Sequence, residues 1–582
     1  MSILLEKLVS NAGDWRWITT VLVFALSYLL GRFYHRVSKY PRGPFPLPLV
    51  GNLLALRNVK DLHFKATELT KTYGDVFTLW MAHKPMVILN GHAAIREATL
   101  SHSPATGELQ TQGNHDILFE DYNPRWKALR KVALLAVRKY AVSDSLEKLC
   151  ADVVDAYVDS LPDGPQIIDS RTPFFYLLYN VIGVSVYGTK LDGEDKEIRR
   201  LEAIDSEFVE VAPNGLPSDI APWLAFLYRG REKKIEDLFR EFRDIVNNLF
   251  TKAEASYVPG KTENFTHAML AAREEAIREE KGDAEYLTKG NMVQVVLTSS
   301  ASHVTALMKA CARRRPGVSP LYRYMARPKR TLTPEEEAAR REKRLQATGE
   351  MNQRLRVGSD YLANKAADMR RRRTDPEYRE RENQAKPATD TSAGELQWLF
   401  LMLAKEPSIQ EKIQQEIQDN IGSTPPVYKD RAKLPYTVAC LLEALRFRPI
   451  APLGLPHKAS TETKVGTLVI PKDTGILYNV YGVNHDPGLW ENPEEFRPER
   501  FLDSATGKLR QEVGPLITFG MGPRTCPGEK LAHMDMFYIL VRLMQRLSCS
   551  APGKPSDVNL SGNDSSIFLL PEKQNIVLTK RN

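Results

Sequence analysis

Apolar and polar positions repeat with a helical period along most of the chain and with a strand-like character in a few short stretches. Apolar residues recur every three or four positions in 145–161, 233–250 and 407–421, which predicts amphipathic helices. The short apolar stretches 76–81 and 85–90 predict the two strands of a β-hairpin. The pattern therefore predicts a mainly α fold with small β-sheets.

The N-terminal region predicts a membrane anchor. Residues 17–34 contain a 14-residue apolar run that ends at Leu30. The sequence that follows, RFYHRVSKYPRG, lacks the small-residue cleavage site of a secretory signal peptide and is strongly basic. Positive charge stays on the cytosolic side, so a single anchor within residues 1–40 would leave the main domain in the cytosol. The proline-rich stretch 41–52 is expected to form a stiff lead-in, neither helix nor central strand.

Charge and cysteine content exclude several classes of protein. The net charge of +8 arises in one segment, because residues 309–387 hold 22 Lys and Arg against 11 Asp and Glu, whereas the rest holds 58 against 61. This segment lacks the aromatic interleaving and zinc-ligand spacing of a nucleic-acid-binding module, so we expect no nucleic-acid partner. The five cysteines show no regular spacing, which argues against a disulfide framework and favours a reducing compartment.

The stretch FGMGPRTCPGE (519–529) surrounds one thiol with three glycines, two prolines and an arginine. Pro527 fits the first turn of a helix that begins just after Cys526. A helix N-terminus carries positive dipole potential, which favours a thiolate, and Arg524 adds a cation. The stretch predicts a loop that holds an anionic sulfur ligand, in contrast to an ordinary buried cysteine beside a turn.

Three further motifs bear on this cysteine. In ACLLEALRFRP (439–449), Glu443 and Arg446 lie three positions apart, so they can pair on one helix face. Arg500 in the motif PERF is expected to complete a buried network with them. Trp126 and Arg130 lie one helical turn apart, which suits binding of a carboxylate; an exposed amphipathic helix is the alternative for that pair.

The motifs ExxR, PERF and FxxGxRxCxG follow one another within about 90 residues. With them the sequence resembles the cytochrome P-450 superfamily over 41–298 and 388–582, and in particular its animal microsomal branch, which includes steroid 17-alpha-hydroxylase/17,20-lyase and the aromatic-hydrocarbon hydroxylases. The resemblance implies the cytochrome P-450 fold, an endoplasmic reticulum membrane location and heme b as cofactor. Cys526 would be the axial thiolate ligand of the iron, and thiolate donation favours O–O cleavage.

The resemblance also implies roles for individual residues. One set would contact the haem: Trp126, Arg130, His457, Phe519 and Arg524. Glu443, Arg446 and Arg500 would be structural. Pro527 has no N–H, so we expect one backbone donor to the sulfur to be missing.

By the same resemblance, Asp390 and Thr391 in the second half of the central helix would guide protons during oxygen activation. Ordinary helix N-capping is the alternative for this Thr-Asp-Thr-Ser stretch. Five residues would line an apolar pocket suited to a steroid or a similar lipophile: Asp205, Ala451, Leu453, Leu455 and Ile567. Core packing is the alternative for each of them.

The function implied is a monooxygenase that inserts one oxygen atom of O2 into a lipophilic substrate, with electrons from NADPH. A separate NADPH-cytochrome P-450 reductase would supply them, with cytochrome b5 as a further candidate partner. The reductase would dock on a basic face of this chain that includes Arg125, Lys127, Lys131 and Lys530. The alternative for these residues is an ordinary solvated surface. An aromatic or xenobiotic hydroxylase remains open. A haem-thiolate isomerase or lyase is disfavoured, because such an enzyme would not need the Asp390–Thr391 pair.

Residues 299–387 separate the two halves of the central helix, of which 286–298 is the first. Their arginine runs, prolines and scarce apolar periodicity predict a disordered insertion that is foreign to the fold. A charged tract of this kind cannot remain in the core, so the helix above the iron would be broken. The chain would then retain haem poorly and turn over slowly, and a haem protein that is non-functional because of the insertion is a further alternative.

Overall fold

The computed structural model describes residues 15–56, 61–98, 102–104, 117, 122–187, 200, 204, 207, 225–278, 284–299, 391–512, 514–562 and 568–581. These residues belong to one compact unit, which is formed by 1–314 and 388–582. The second unit, 315–387, lies outside the described residues, as does nearly all of the predicted insertion 299–387.

Fourteen α-helices occur in the described part of the chain: α1 Trp15–Val37, α2 Leu62–Tyr73, α3 His92–Ala98, α4 Pro124–Tyr140, α5 Asp144–Ser160, α6 Thr172–Tyr187, α7 Ala225–Ala255, α8 Phe265–Arg278, α9 Lys289–Ser299, α10 Thr391–Lys405, α11 Pro407–Asn420, α12 Pro435–Phe447, α13 Val480–Asn484 and α14 Glu529–Arg546. The predicted amphipathic helices are confirmed as α5, part of α7 and α11.

Ten short strands form small sheets: β1 Val76–Met81, β2 Lys84–Leu89, β3 His102–Pro104, β4 Gln166–Asp169, β5 His457–Ala459, β6 Thr463–Val465, β7 Leu468–Ile470, β8 Gly475–Tyr478, β9 Leu547–Ser550 and β10 Asn575–Lys580. The largest sheet has the order β1-β2-β8-β5-β3. β1 and β2 pair antiparallel with Val76 opposite Leu89, so the predicted hairpin is confirmed. The fold is mainly helical with small sheets, as predicted.

Helix α1 is long and apolar enough to cross a membrane, and none of its apolar stretch is buried within the protein. The proline-rich segment after it forms turns, with isolated bridges between Leu47 and Gly51 and between Gly51 and Met81. Gly51 has φ +59°, and a Cβ there would lie 2.1 Å from the carbonyl oxygen of Trp80. The chain can therefore pass this close to β1 only with glycine at that position.

Helix α10 lies at the centre of the main core. Every residue from Ala393 to Ala404 is buried, which fits a helix that is apolar on nearly all sides. Its neighbours include α6, α11, α12 and α14. Phe174 of α6 packs against Phe400 of α10 with ring centroids 4.6 Å apart. This helix begins at Thr391, so it brings one predicted site residue to the core.

Two buried histidines join α2 to α13. The ring of Tyr481 stacks on His485 at 3.8 Å and lies 4.9 Å from His63. Burial and the neighbouring Arg448 lower the pKa of His63 to about 4. Burial and Arg446 lower the pKa of His485 to about 3, although the Tyr481 carbonyl opposes this shift. Both rings are therefore held in the neutral form.

Protonation of these two histidines is expected to destabilise the fold. Their folded pKa values lie below the ordinary 6.5, so the unfolded chain binds more protons as the pH falls below that value. Between pH 7 and pH 5 each should cost about 2 kcal/mol of unfolding free energy. Denaturant unfolding across this range should show a flatter pH dependence for His63→Phe and His485→Phe. The exposed His35→Gln is the control, and an unchanged slope in both core variants would contradict the assignment.

Candidate active site

The cysteine loop, residues 519–528, lies directly before α14. Gly520 and Gly522 have φ values of +79° and +68°, which glycine adopts at low cost. The Cys526 N–H donates to the carbonyl oxygen of Phe519 at 2.8 Å and closes the loop. The predicted place of Pro527 in the first helical turn is wrong by two residues. Gly528 is the N-cap, because its carbonyl accepts the Ala532 N–H at 2.9 Å.

Burial raises the pKa of the Cys526 thiol to about 11. The backbone N–H of Gly528, the charge of Arg130 and the N–H of Glu529 act in the opposite direction, and the Glu529 carboxylate adds to the rise. The N–H groups at the start of α14 thus lower the pKa, as expected, but burial of the free thiol has the larger effect. Pro527 lacks a donor, as expected, but the next two residues direct their N–H groups to the sulfur. Those groups would stabilise a metal-bound thiolate.

Helix α4 contributes a cationic and aromatic group beside this loop. The guanidinium of Arg524 lies 4.0 Å from the ring centroid of Trp126, and that of Arg130 lies 5.3 Å from it. Arg130 Nη2 donates to the carbonyl oxygen of Thr525 at 2.6 Å, which ties α4 to the cysteine loop. Trp126 Nε1 donates to the carbonyl oxygen of Ile117 at 2.9 Å. The structure thus brings Trp126, Arg130 and Arg524 together next to Cys526.

Phe519 and His457 lie in different surroundings. Phe519 packs against His533 with ring centroids 5.0 Å apart, and its carbonyl meets the Cys526 N–H. His457 begins β5, is buried and stacks on Tyr478 at 4.5 Å. Phe519 is thus part of the cysteine loop, whereas His457 stacks on β8 of the largest sheet.

Glu443, Arg446 and Arg500 form a buried network. Arg446 donates to both Glu443 carboxylate oxygens, at 2.7 and 2.9 Å. Arg500 Nε lies 3.0 Å from the same carboxylate. The side chains of Glu443 and Arg446 have no exposed area, and that of Arg500 is 5% exposed. The two motifs that predicted this network lie more than fifty positions apart, and the fold brings them into contact.

Thr391 is the first residue of α10 and is partly buried. Its predicted partner Asp390 lies outside the described residues, as do the pocket candidates Asp205 and Ile567. Ala451 packs against the main core and remains partly exposed.

The other two pocket candidates differ from each other in burial. Leu453 belongs to a core cluster with Phe77, Leu79 and Ile88 of the β-hairpin. These contacts favour the core-packing alternative for Leu453. Leu455 is partly buried.

Glu395 of α10, which is 5% exposed, is not among the residues predicted from the sequence. Its carboxylate oxygen Oε1 accepts the Ile450 N–H at 2.9 Å. A charged residue in an otherwise apolar helix, one turn after Thr391, was the available signal, because such a residue is seldom fully buried without a purpose. The partner 55 positions away could not be read from the spacing.

A cleft of about 450 Å³ opens along one face of α4. Its lining combines basic and apolar residues: Tyr122, Trp126, Lys127, Arg130, Lys131, Leu134, Leu135, Arg138 and Pro523. Two of the predicted docking residues, Lys127 and Lys131, therefore lie in a concave surface. The cleft is lined in part by Trp126 and Arg130, and it reaches Pro523 of the cysteine loop.

Comparison with known proteins places the chain in a family. The family described as Cytochrome P450 matches residues 41–306 and 386–579. The chain belongs to this family, whose members are monooxygenases with a haem iron. The residues around Cys526 fit a haem iron. The loop offers a single sulfur ligand, backbone N–H groups that face the sulfur, and guanidinium groups nearby.

Individual relatives are distant in sequence and similar in length. The chain is 27% identical over 570 residues to cytochrome P450 2D28 of Mesocricetus auratus, covering 95% of this chain and 96% of that protein. It is 24% identical over 563 residues to steroid 17-alpha-hydroxylase/17,20 lyase of Capra hircus, covering 94% of each. It is 27% identical over 587 residues to cytochrome P450 2D10 of Rattus norvegicus, covering 97% of each.

Proposed function

We propose that the chain is a monooxygenase whose heme b iron is bound by Cys526 and whose substrate is a lipophile of the steroid class. The observation that carries this proposal is the cysteine loop, where backbone N–H groups face the Cys526 sulfur and Arg130 is bonded to the adjacent residue. When bound, the haem would supply the oxygen chemistry, in which one atom of O2 enters a C–H bond while two electrons from NADPH and two protons convert the other to water.

The protein's own residues would bind and orient that cofactor. Cys526 would hold the iron as a thiolate after losing its thiol proton, and the N–H groups of Gly528 and Glu529 would stabilise that anion. Arg130 and Arg524, held on Trp126, would neutralise the cofactor's carboxylates, with His457 as a further donor. Phe519 would shield the sulfur side from water.

The substrate assignment rests on relatives and on the character of the pocket segment. Relatives named steroid 17-alpha-hydroxylase/17,20 lyase span nearly the whole chain. Ala451 and Leu455 are partly buried and apolar, which suits a lipophile with few polar groups. A hydroxylase of planar aromatic compounds is the second candidate. Ligand-induced spectral titrations decide between them: tighter binding of progestins supports the steroid class, and tighter binding of planar aromatics supports the other.

The cleft along α4 suits an acidic electron donor. Lys127, Lys131 and Arg138 give it positive charge, and Leu134 and Leu135 give it apolar surface. We assign NADPH-cytochrome P-450 reductase to this cleft, with cytochrome b5 as a competitor for the same face. Arg125 and Lys530 would extend the basic surface. Helix α1 would anchor the chain in the endoplasmic reticulum membrane with this face in the cytosol.

Thr391→Ala is expected to uncouple electron consumption from product formation. The Thr391 hydroxyl, at the start of α10, is proposed to pass protons during oxygen activation, and alanine cannot do so. NADPH oxidation should continue while product falls by about tenfold or more and peroxide rises. Thr251→Ala, an exposed position on α7, is the matched control. Unchanged coupling in Thr391→Ala would remove this residue from the proton path.

A further inference from the structure

Glu395 is a buried acid on the helix of Thr391 that the proposed proton path does not use. It follows Thr391 by four positions, so the two side chains lie on the same face of α10, one turn apart. The residues that follow it on α10 are buried as far as Ala404. An acid at such a place is costly unless its contacts compensate for the lost hydration.

Those contacts join α10 to two other segments. Glu395 Oε1 accepts the Ile450 N–H at 2.9 Å, and the Ile450 carbonyl accepts the Leu569 N–H at 2.9 Å. Trp398, one turn after Glu395 on α10, donates from Nε1 to the Leu569 carbonyl at 2.9 Å. The chain of hydrogen bonds thus begins and ends on α10. We call this set the Ile450 junction: Gly394, Glu395, Trp398, Ile450 and Leu569.

Gly394 allows this close approach. A Cβ at Gly394 would lie 2.7 Å from Ile450 Cδ1, which is shorter than real Cβ contacts, and 3.0 Å from Leu570 Cδ2, which is tighter than most of them. Ile450 is therefore pressed against the helix at one residue and hydrogen-bonded to it at the next. The two neighbouring positions together fix where the segment leaves α12 and enters residues 451–455.

The second carboxyl oxygen of Glu395 has a different environment. Oε2 is buried and has no hydrogen-bond partner among the residues that the structure describes. Burial raises the pKa of this carboxyl well above its ordinary value, although the Ile450 N–H opposes the shift. The neutral acid is thus favoured, and it serves as an acceptor through Oε1 alone.

We propose that Glu395 is a positioning residue that selects substrates, because its hydrogen bond to Ile450 sets the distance between Thr391 and the segment carrying Ala451 and Leu455. This rests on the proposed function, which assigns Ala451 and Leu455 to the pocket. Loss of the bond leaves a buried N–H unpaired and frees the segment to move away from α10. The dissociation constants of ligands that differ in shape should then change by different factors.

The test uses the full-length, haem-loaded protein and three variants. Glu395→Gln keeps an acceptor for the Ile450 N–H, whereas Glu395→Leu removes it. Gln397→Leu is the matched control, because it also deletes a buried hydrogen bond of α10, in this case with Ser170 and away from the junction. Amide hydrogen exchange of peptides that contain Ile450 is measured, together with spectral dissociation constants for a progestin and for a planar aromatic.

Glu395→Leu should raise exchange at Ile450 about tenfold and change the ratio of the two dissociation constants about fivefold or more. Glu395→Gln and Gln397→Leu should leave both quantities near the parent values. If Glu395→Leu does not fold, Gly394→Ala takes its place, because it retains the carboxyl and displaces Ile450. It should change the ratio in the same way.

Three outcomes would overturn the proposal. Unchanged exchange in the Leu variant would show that the bond does not hold the segment. An equal loss for both ligands would indicate general destabilisation. A Gln variant that behaves like the Leu variant would point to acid–base chemistry in place of positioning. Hydrogen exchange does not depend on turnover. It therefore tests whether Glu395 holds Ile450 even if the proposed monooxygenase function is wrong.

Discussion

Glu443→Ala is expected to destabilise the folded chain by about 3–5 kcal/mol, which is a large part of the stability of an ordinary domain. Two guanidinium groups, those of Arg446 and Arg500, converge on the Glu443 carboxylate in a region that is almost fully buried. Removing the carboxylate leaves both positive charges buried and unpaired. Few other single substitutions should have so large an effect.

The effect should reach the cysteine loop. Arg446 also donates to the Asn484 carbonyl at 2.7 Å, and Asn484 Nδ2 donates to Thr518 Oγ1 at 3.1 Å. Thr518 Oγ1 in turn donates to the Leu445 carbonyl at 2.8 Å. Thr518 immediately precedes Phe519, so the ion network is bonded continuously to the start of the loop that carries Cys526. Loss of Glu443 should therefore lower haem retention as well as stability.

Denaturant unfolding and the haem content of purified protein measure these two effects. Glu443→Gln separates charge from packing, since it keeps the side-chain shape and removes the negative charge. Glu68→Ala breaks an exposed pair with Lys65 and should change stability by less than about 0.5 kcal/mol. A loss below about 1 kcal/mol in Glu443→Ala would contradict the account of the network.

Local patterns in the sequence were sufficient for much of the fold. Periodicity predicts α5 and α11 within one or two residues, because their apolar positions face a core that lies on one side only. The hairpin of β1 and β2 follows from two apolar runs and a short connection. Residue order in the three motifs indicates Glu443, Arg446 and Cys526, since each motif carries its chemistry within a few positions.

Long-range contacts and the balance between opposing effects could not be obtained this way. Glu395 and Ile450 are far apart in sequence, and no spacing rule links them. Helix α14 begins two residues later than expected, because the carbonyl of Gly528 accepts the first helical hydrogen bond. The protonation state of Cys526 depends on how much burial outweighs the nearby N–H groups, and a sequence does not give the amount of burial.

The predicted insertion remains a hypothesis. The family match ends at residue 306 and resumes at 386, on either side of most of the segment 299–387. Asp390, which would act with Thr391, lies three residues beyond this segment and outside the described residues. We propose that the segment is foreign to the fold and that it limits haem retention and turnover by interrupting the helix that continues as α10.

The central claim is that Cys526 supplies the axial thiolate of a bound haem, and the spectrum of the reduced, carbon-monoxide-bound protein tests it most directly. The purified parent protein should show the strongly red-shifted Soret band of thiolate ligation. Cys526→Ser should abolish this band, whereas Cys440→Ala, which alters another buried cysteine far along the chain, should retain it. A histidine-type spectrum in the parent, or a thiolate band that survives in Cys526→Ser, would contradict the account.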